Sequence, residues 1–295
     1  MSWRQELTVK CLKFRRGGVL LALILSVFLS GADGAGAAQP GEDGSIELVD
    51  PNVLRVCADP RNLPFSNEAG EGFENKIAAL LAQKLGKTLA YEYYPGATGF
   101  VRNTLNAHRC DVIMGMPQGN DMVQGTNPYY RTSYALVSKQ GAGLAPVDSL
   151  EDPRLQGKRI GIVAGTPPAT NLAVNGLLEN AKSYPLVVDT RFDAPAALMI
   201  GDLEAGRIDA AILWGPIAGY LAKHAKIPMK VTPLVKEASG PRMIYRIGMG
   251  VRHSDQDWKR RLNKLIAENE AEIIKILASY GVPLLDENNA LLAHQ

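Results

Sequence analysis

Short apolar runs alternate with amphipathic stretches from about residue 54 to the end of the chain. The runs Leu54-Arg-Val-Cys-Ala58 and Cys110-Asp-Val-Ile-Met114 have the length and composition of buried strands. The stretch from Asn75 to Leu85 instead repeats its apolar residues at helical spacing and ends before Gly86. Strands that alternate with helices in this way favour an α/β fold with mostly parallel sheets.

This rhythm of strand, turn and helix occurs twice, on either side of a break rich in Gly and Ala at residues 141–146. The pattern predicts strands over residues 53–58, 88–93, 110–115, 159–163, 185–189, 208–213 and 245–251. It predicts helices over residues 75–85, 99–107, 170–178, 194–205 and 256–279. The repetition indicates two α/β units of similar construction.

The first residues have the pattern of an export signal. Four basic residues between positions 10 and 16 precede the apolar run Val19–Leu29, and Ala35-Gly36-Ala37 then offers small side chains to a signal peptidase. We predict a signal peptide over residues 1–37, cleaved after Ala37 or one residue later, and export to the periplasm. Residues 38–52 are polar and follow as a flexible lead-in. The alternative is an uncleaved membrane anchor at residues 17–30, which is short for a bilayer span.

Removal of the signal leaves a chain of nearly neutral charge. The 258 remaining residues carry 27 Lys and Arg against 28 Asp and Glu, a net charge of −1, whereas the whole chain carries +2. Such a balance does not favour nucleic acid as a partner. The length exceeds what one hydrophobic core usually organises, so two domains are expected, with no membrane anchor after cleavage.

Two cysteines, Cys57 and Cys110, remain after the signal and its Cys11 are removed. An even number of cysteines in an oxidising compartment favours a disulfide, and both residues lie in or at the edge of predicted strands that could be neighbours. Two buried free thiols are the alternative. Two cysteines and four scattered histidines supply too few ligands for a metal site, and no cofactor motif is present.

Four motifs, in this order and spacing, resemble the extracellular solute-binding proteins of family 3. They are Leu54-Arg-Val with Pro64-Phe65-Ser66, Gly72-Phe73-Glu74, Gly206-Arg-Ile-Asp-Ala210, and the stretch from Asn263 through Tyr280-Gly-Val-Pro283. The resemblance implies a two-lobed periplasmic-binding-protein fold in which two crossover strands form a hinge. It implies one lobe made of residues 53–139 and 242–295, and a second lobe made of residues 140–241.

The resemblance also implies a ligand chemistry that this chain lacks. In the family, an Arg of the first lobe binds the α-carboxylate of an amino acid and an Asp of the second lobe binds its ammonium group. Here the interval from Asp111 to Tyr130 contains no Arg or Lys, and the position of that Asp is occupied by Trp214. A standard amino acid is therefore not the expected ligand.

Longer strings resemble a narrower branch, the quinoprotein-dehydrogenase-associated binding proteins of the MxaJ/XoxJ type. These strings are Arg55-Val-Cys-Ala-Asp-Pro60, Leu63-Pro-Phe-Ser-Asn67, Cys110-Asp-Val-Ile-Met-Gly115 and Asn127-Pro-Tyr-Tyr-Arg-Thr-Ser-Tyr134. This resemblance implies a periplasmic accessory protein that assists maturation or activation of a PQQ-dependent methanol dehydrogenase, with a c-type cytochrome as a further candidate partner. The alternative is the substrate-binding component of an ABC transporter for a small solute other than a standard amino acid.

The implied fold places an aromatic, methionine-containing cleft at the carboxyl ends of the strands, where open α/β sheets bind ligands. The predicted cleft residues are Asn62, Phe65, Met116, Gln118, Tyr129, Tyr130, Arg131, Gly165, Thr166 and Trp214. Such a surface suits a protein segment better than a small charged solute. Two alternatives remain: the aromatic residues pack the hinge and lobes, and Gly165-Thr166 is an ordinary helix start. No catalytic motif is present, so we expect a binding protein rather than an enzyme, with Glu74 and Asp209 in structural roles.

Overall fold

The computed structural model describes residues 47–144, 146–186 and 194–292. The strands are β1 (Val53–Ala58), β2 (Arg61–Asn62), β3 (Ser66–Asn67), β4 (Thr88–Tyr93), β5 (Val112–Pro117), β6 (Gln124–Gly125), β7 (Tyr130–Lys139), β8 (Ile160–Val163), β9 (Lys182–Tyr184), β10 (Ala210–Trp214), β11 (Met229–Pro233) and β12 (Ile244–Val251). The helices are α1 (Phe73–Leu85), α2 (Phe100–Asn103), α3 (Pro167–Val174), α4 (Pro195–Glu204), α5 (Gly215–Lys223), α6 (Gln256–Glu268) and α7 (Glu270–Ser279).

Ten of these strands form one continuous sheet in the order β4-β1-β5-β12-β7-β10-β8-β9, with β6 beside β12 and β11 beside β7. Strands β4, β1 and β5 pair in parallel at one end, and β10, β8 and β9 pair in parallel at the other. The two central strands, β12 and β7, run antiparallel to their neighbours. The chain therefore has the predicted α/β construction, with a parallel group of strands on each side of a central crossover.

Strand β7 connects the two groups of strands. Its first residues, Tyr130 to Ser133, pair with β12, and its remaining residues, Tyr134 to Lys139, pair with β10 and β11. Together β7 and β12 give the two crossover strands of the predicted two-lobed fold. The lobe limits predicted from the sequence, residues 53–139 with 242–295 and residues 140–241, remain our proposal.

Separate hydrophobic cores lie in the two groups of strands. The first core packs α1 and α6 against the sheet around Phe73, Ile77 and Trp258, each of which is fully buried. The second group buries one core on each face of its sheet, one around Ile160 and another around Met199. Each group thus has apolar layers of its own, as expected for two lobes.

The structure differs from the sequence prediction at several places, and the predicted helix over residues 99–107 is reduced to Phe100–Asn103. The predicted helix over residues 256–279 is divided at Asn269, whose backbone N–H and side-chain amide both donate to the carbonyl of Leu265, at 3.1 and 2.8 Å. The predicted strand over residues 185–189 instead occupies Lys182–Tyr184, and residues 187–189 lie outside the described part of the chain. Helix α5 was not predicted, because its Gly-Pro start reads as a turn. The strands β2, β3, β6, β7 and β11 were not predicted from the apolar pattern either.

The predicted signal peptide, residues 1–37, lies outside the described residues, as do residues 38–46 of the lead-in. The last lead-in residues join the fold: Leu48 is buried, and the carboxylate of Glu47 accepts a hydrogen bond from the backbone of Trp258. The amide of Val49 donates 2.7 Å to Asp111. Among the described residues, no helix has the length and apolar character needed to cross a membrane.

Candidate functional site

A pocket of about 310 Å³ opens where β1 and β5 end. Five of the predicted cleft residues line it: Asn62, Phe65, Met116, Tyr130 and Trp214. The carboxyl ends of these two parallel strands meet at one edge of the sheet, which explains why residues distant in the sequence come together there.

Aromatic rings form most of the apolar lining of this pocket. Phe65 packs against Phe73 with ring centroids 5.2 Å apart, and Tyr130 makes an edge contact with the same phenylalanine at 6.3 Å. On the other side, Trp214 makes edge contacts with Tyr134 at 5.2 Å and with Tyr245 at 5.5 Å. Each aromatic side chain is thus held by a neighbouring ring, and the pocket wall is preorganised.

The loop that carries Phe65 is fixed by the first turn of α1. The carbonyl of Phe65 accepts a hydrogen bond of 2.9 Å from the backbone of Glu74, and the carbonyl of Pro64 accepts one from Phe73. Gly72 precedes the helix, and a methyl group there would overlap the backbone of Phe65. The motif Gly72-Phe73-Glu74 therefore brings helix and loop into direct contact and places Phe65 in the pocket wall.

Two carboxyl groups, Asp59 and Glu74, are the charged groups that line the pocket. Asp59 is buried, and its carboxylate accepts hydrogen bonds from the amides of Arg61 at 2.7 Å and Gly96 at 2.6 Å. Glu74 lies in the first turn of α1, and burial raises the pKa of its carboxyl group to about 8. The pocket is therefore apolar and acidic.

Gln118 and Arg131, also predicted for the cleft, line a different groove of about 460 Å³ beside β12. The guanidinium of Arg131 is held by the C-terminal segment, where it contacts the carboxylate of Glu287 at 3.3 Å and the side chain of Asn289. Arg131 is thus already engaged and does not replace the missing carboxylate-binding arginine.

Tyr129, Gly165 and Thr166 do not line either of these two cavities. Tyr129 is buried in the first core, and its hydroxyl donates 2.8 Å to the carbonyl of Met114, so it has the packing role that was left open as an alternative. Thr166 precedes α3, but its hydroxyl donates to the carbonyl of Val163 rather than capping the helix. For these three residues the structure favours a structural role.

Asp59 and Glu74 line the pocket but were not among the predicted cleft residues, and Glu74 had been assigned a structural role. Its position in the first turn of a helix that begins beside the end of a strand is the signal that could have identified it. The described residues contain no group of three or more His, Cys, Asp or Glu side chains that could hold a metal ion.

Cys57, which lines the pocket, forms a disulfide with Cys110, with 5.4 Å between the two Cα atoms. Cys57 is in β1, and Cys110 comes just before β5, which pairs with β1 in parallel. The predicted pairing is thus confirmed. The bridge ties the two strands whose ends build the pocket, and a small apolar cluster that includes Leu105 and Ile113 surrounds it.

Two proteins named MoxJ are similar to this chain over most of its length. Protein MoxJ of Paracoccus denitrificans is 30% identical over 267 residues, which are 85% of this chain and 96% of that protein. Protein MoxJ of Methylorubrum extorquens is 28% identical over 255 residues, covering 81% of this chain and 84% of that protein.

A similar protein is also found among the solved structures. The crystal structure of the periplasmic binding protein XoxJ from Methylobacterium extorquens AM1 has 44% sequence identity and a TM-score of 0.67, and the match covers 79% of this chain and all of that one. Residues 54–282 match the model of a single protein family. On this evidence, the chain belongs to the bacterial extracellular solute-binding proteins, family 3.

Proposed function

We propose that this protein is a periplasmic accessory protein that binds a PQQ-dependent methanol dehydrogenase and assists its maturation or activation. The observation that carries the proposal is Trp214, which lines the pocket at the position where the family places an ammonium-binding Asp. The similarity to MoxJ and XoxJ supports a role beside this class of enzyme. The proposed role is one of binding rather than catalysis.

The pocket is poorly suited to a free amino acid. It has no basic side chain to hold an α-carboxylate, and Arg131 is engaged by Glu287 in another part of the molecule. A zwitterion in this pocket would lose two charge-assisted hydrogen bonds, each worth about 1.5–3 kcal/mol. Micromolar affinity corresponds to about 8 kcal/mol, so a loss of about 3–6 kcal/mol removes a large part of the binding free energy.

The aromatic lining suits an apolar or aromatic segment of another protein. Tyr and Trp side chains dominate the binding energy of protein interfaces, and Met adapts its shape to the partner. Met116 and Trp214 both line the pocket, and Leu63, next to the pocket residue Asn62, is 39% exposed. We propose that these residues form the centre and the rim of the interface.

We further propose that residues 1–37 direct export and are removed. The disulfide between Cys57 and Cys110 agrees with an oxidising compartment such as the periplasm. A c-type cytochrome is a second partner under this proposal, because such proteins accept electrons from quinoprotein dehydrogenases in the same compartment.

Affinity capture from the periplasm of the organism grown on methanol tests this proposal. We expect stoichiometric recovery of a large enzyme that contains PQQ, identified by its mass and by cofactor absorbance after release. The control is the Trp214→Ala variant, which should recover much less of it. Recovery of a small solute by native mass spectrometry, with no PQQ enzyme, would instead favour the transporter function.

Calorimetry with the twenty standard amino acids tests the exclusion of the common ligand. We expect no dissociation constant below about 100 μM, because the carboxylate and ammonium partners are both missing. A single amino acid bound at micromolar concentration would contradict this expectation and would favour transport.

A further inference from the structure

Helix α5 begins at the pocket and packs against the chain that follows α7. Trp214, which lines the pocket, immediately precedes the helix. A methyl group at Gly219, in the second turn of α5, would lie 1.8 Å from the carbonyl oxygen of Gly281. The two backbones are therefore in direct contact, and no side chain fits between them.

Two further contacts flank this pair of glycines. The side-chain ammonium group of Lys223, at the end of α5, donates 2.6 Å to the carbonyl of Ser279. The rings of Tyr220 and Tyr280 stack with their centroids 6.2 Å apart and their planes at 23°. One face of α5 is thus packed along the end of α7.

The two helices belong to different groups of strands. Ala218 of α5 is buried in the core around Met199, whereas Leu277 of α7 is buried in the core around Phe73. The contact between α5 and residues 279–281 therefore joins the two groups outside the crossover strands β7 and β12. Because packed surfaces resist compression, a rotation of one group about the crossover strands must separate these surfaces or press them together.

Beyond this contact, the chain passes across both crossover strands. The amide of Leu285 donates 2.9 Å to the carbonyl of Arg131 in β7, and the carboxylate of Glu287 pairs with both Arg131 and Arg246. The two arginines lie directly opposite each other on β7 and β12, where like charges destabilise a strand pair. Glu287 offsets their repulsion and ties its own segment to the crossover strands.

The same segment also lies beside the second group of strands. Leu285 and Leu291 line one side of a groove of about 490 Å³, and Lys230 and Pro233 of β11 line the other side. Residues 284–292 thus adjoin the crossover strands and β11 at once.

We propose that α5 and residues 279–292, together called the lock, hold the two groups of strands at one angle. The pocket then keeps the same opening whether it is empty or occupied. This differs from the hinge closure by which periplasmic binding proteins enclose their ligands. A pocket of constant shape suits the docking of a protein surface, because a preformed site loses less conformational freedom on binding.

Two spin labels, one in each group, measure this angle. The exposed residues Gln83 of α1 and Ala173 of α3 can be replaced by cysteine and labelled, because Cys57 and Cys110 are already paired. Double electron–electron resonance should give one narrow distance distribution for the free protein. Two separate populations in the free protein would overturn the inference.

Gly219→Ala tests whether the contact between α5 and residues 279–281 sets the angle. The added methyl group overlaps Gly281, so we expect the distance distribution to shift and to broaden. The matched control is Gly201→Ala in α4, where a methyl group meets no described atom within 4 Å, and it should give the wild-type distribution. A folded Gly219→Ala variant with the wild-type distribution would overturn the inference.

Glu287→Gln tests the part of the lock that crosses β7 and β12, and it decides the matter if Gly219→Ala does not fold. Without this carboxylate, we expect the amide hydrogen of Leu285 to exchange about tenfold faster and the distance distribution to broaden. The control Glu270→Gln removes a charge from an exposed residue of α7 and should change neither quantity. Unchanged exchange and distances in Glu287→Gln would contradict the inference.

Addition of the purified PQQ methanol dehydrogenase to the labelled protein separates this inference from the proposed function. We expect the enzyme to bind without a change in the distance distribution. If it binds and the labels move closer together, the inference is overturned while the proposed function stands. If it does not bind, the proposed function fails, and the variants at Gly219 and Glu287 decide the inference.

Discussion

The two tryptophans in the described part of the chain lie in contrasting environments. Trp258 in α6 is fully buried, and its indole N–H donates 3.1 Å to the carbonyl of Asp111. Trp214 at the end of β10 is half-buried, lines the pocket, and makes no hydrogen bond from its indole to any described residue. A tryptophan with complete burial and a satisfied N–H serves the core, whereas one with an open face and a free N–H is available to a partner.

Replacement of Trp258 should give the largest effect. We expect Trp258→Ala to lower the free energy of unfolding by about 3–5 kcal/mol, because it leaves a large cavity in the first core and an unpaired carbonyl. In a protein of this size the melting temperature should fall by about 10 °C. Thermal and urea denaturation measure both quantities. Loss of less than about 1 kcal/mol would show that this core does not depend on Trp258.

The disulfide should give the next largest effect. We expect no free thiol in the protein isolated from periplasm, even under denaturing conditions, because Cys57 and Cys110 are paired. The double substitution Cys57→Ala with Cys110→Ala should cost about 2–4 kcal/mol of stability, since it removes a cross-link over a sequence separation of 53 residues. Thiol titration and urea denaturation test the two parts. Two reactive thiols per denatured chain would contradict the pairing.

Replacement of Trp214 should have a small effect on the fold. We expect Trp214→Ala to cost about 1 kcal/mol of stability, because the side chain is half-buried and its neighbours Tyr134 and Tyr245 still contact each other, with ring centroids 6.4 Å apart. Its thermal melt should differ from that of the wild type by only a few degrees. A loss as large as that for Trp258→Ala would assign Trp214 to the core.

Much of the fold could be predicted because the spacing of apolar residues indicates which face of each helix or strand is buried. The strand at Thr88–Tyr93 matches its prediction, and the helix at Phe73–Leu85 extends the predicted one by two residues. The break at Asn269 could not be predicted, because the apolar spacing continues on both sides of it. Periodicity detects which face of a helix is buried and does not detect where the helix is interrupted.

The rule that ligands bind at strand ends brings together part of the predicted cleft, since Phe65, Met116 and Trp214 line one pocket. Tyr129 precedes β7 and lies outside this pocket, with its hydroxyl donating to the carbonyl of Met114. Arg131 lines a different groove, where the distant C-terminal segment binds its side chain. Sequence position gives the end of a strand, but side-chain direction and distant partners depend on the folded chain.

The central claim is that the pocket around Trp214 binds a PQQ-dependent methanol dehydrogenase. Its most direct test is the dissociation constant of the purified enzyme for the wild type and for Trp214→Ala, measured by calorimetry at equal pH and ionic strength. We predict a loss of affinity of about thirtyfold or more in the variant, which corresponds to about 2 kcal/mol for a central interface aromatic. Equal affinity for the wild type and a folded Trp214→Ala variant would contradict the account.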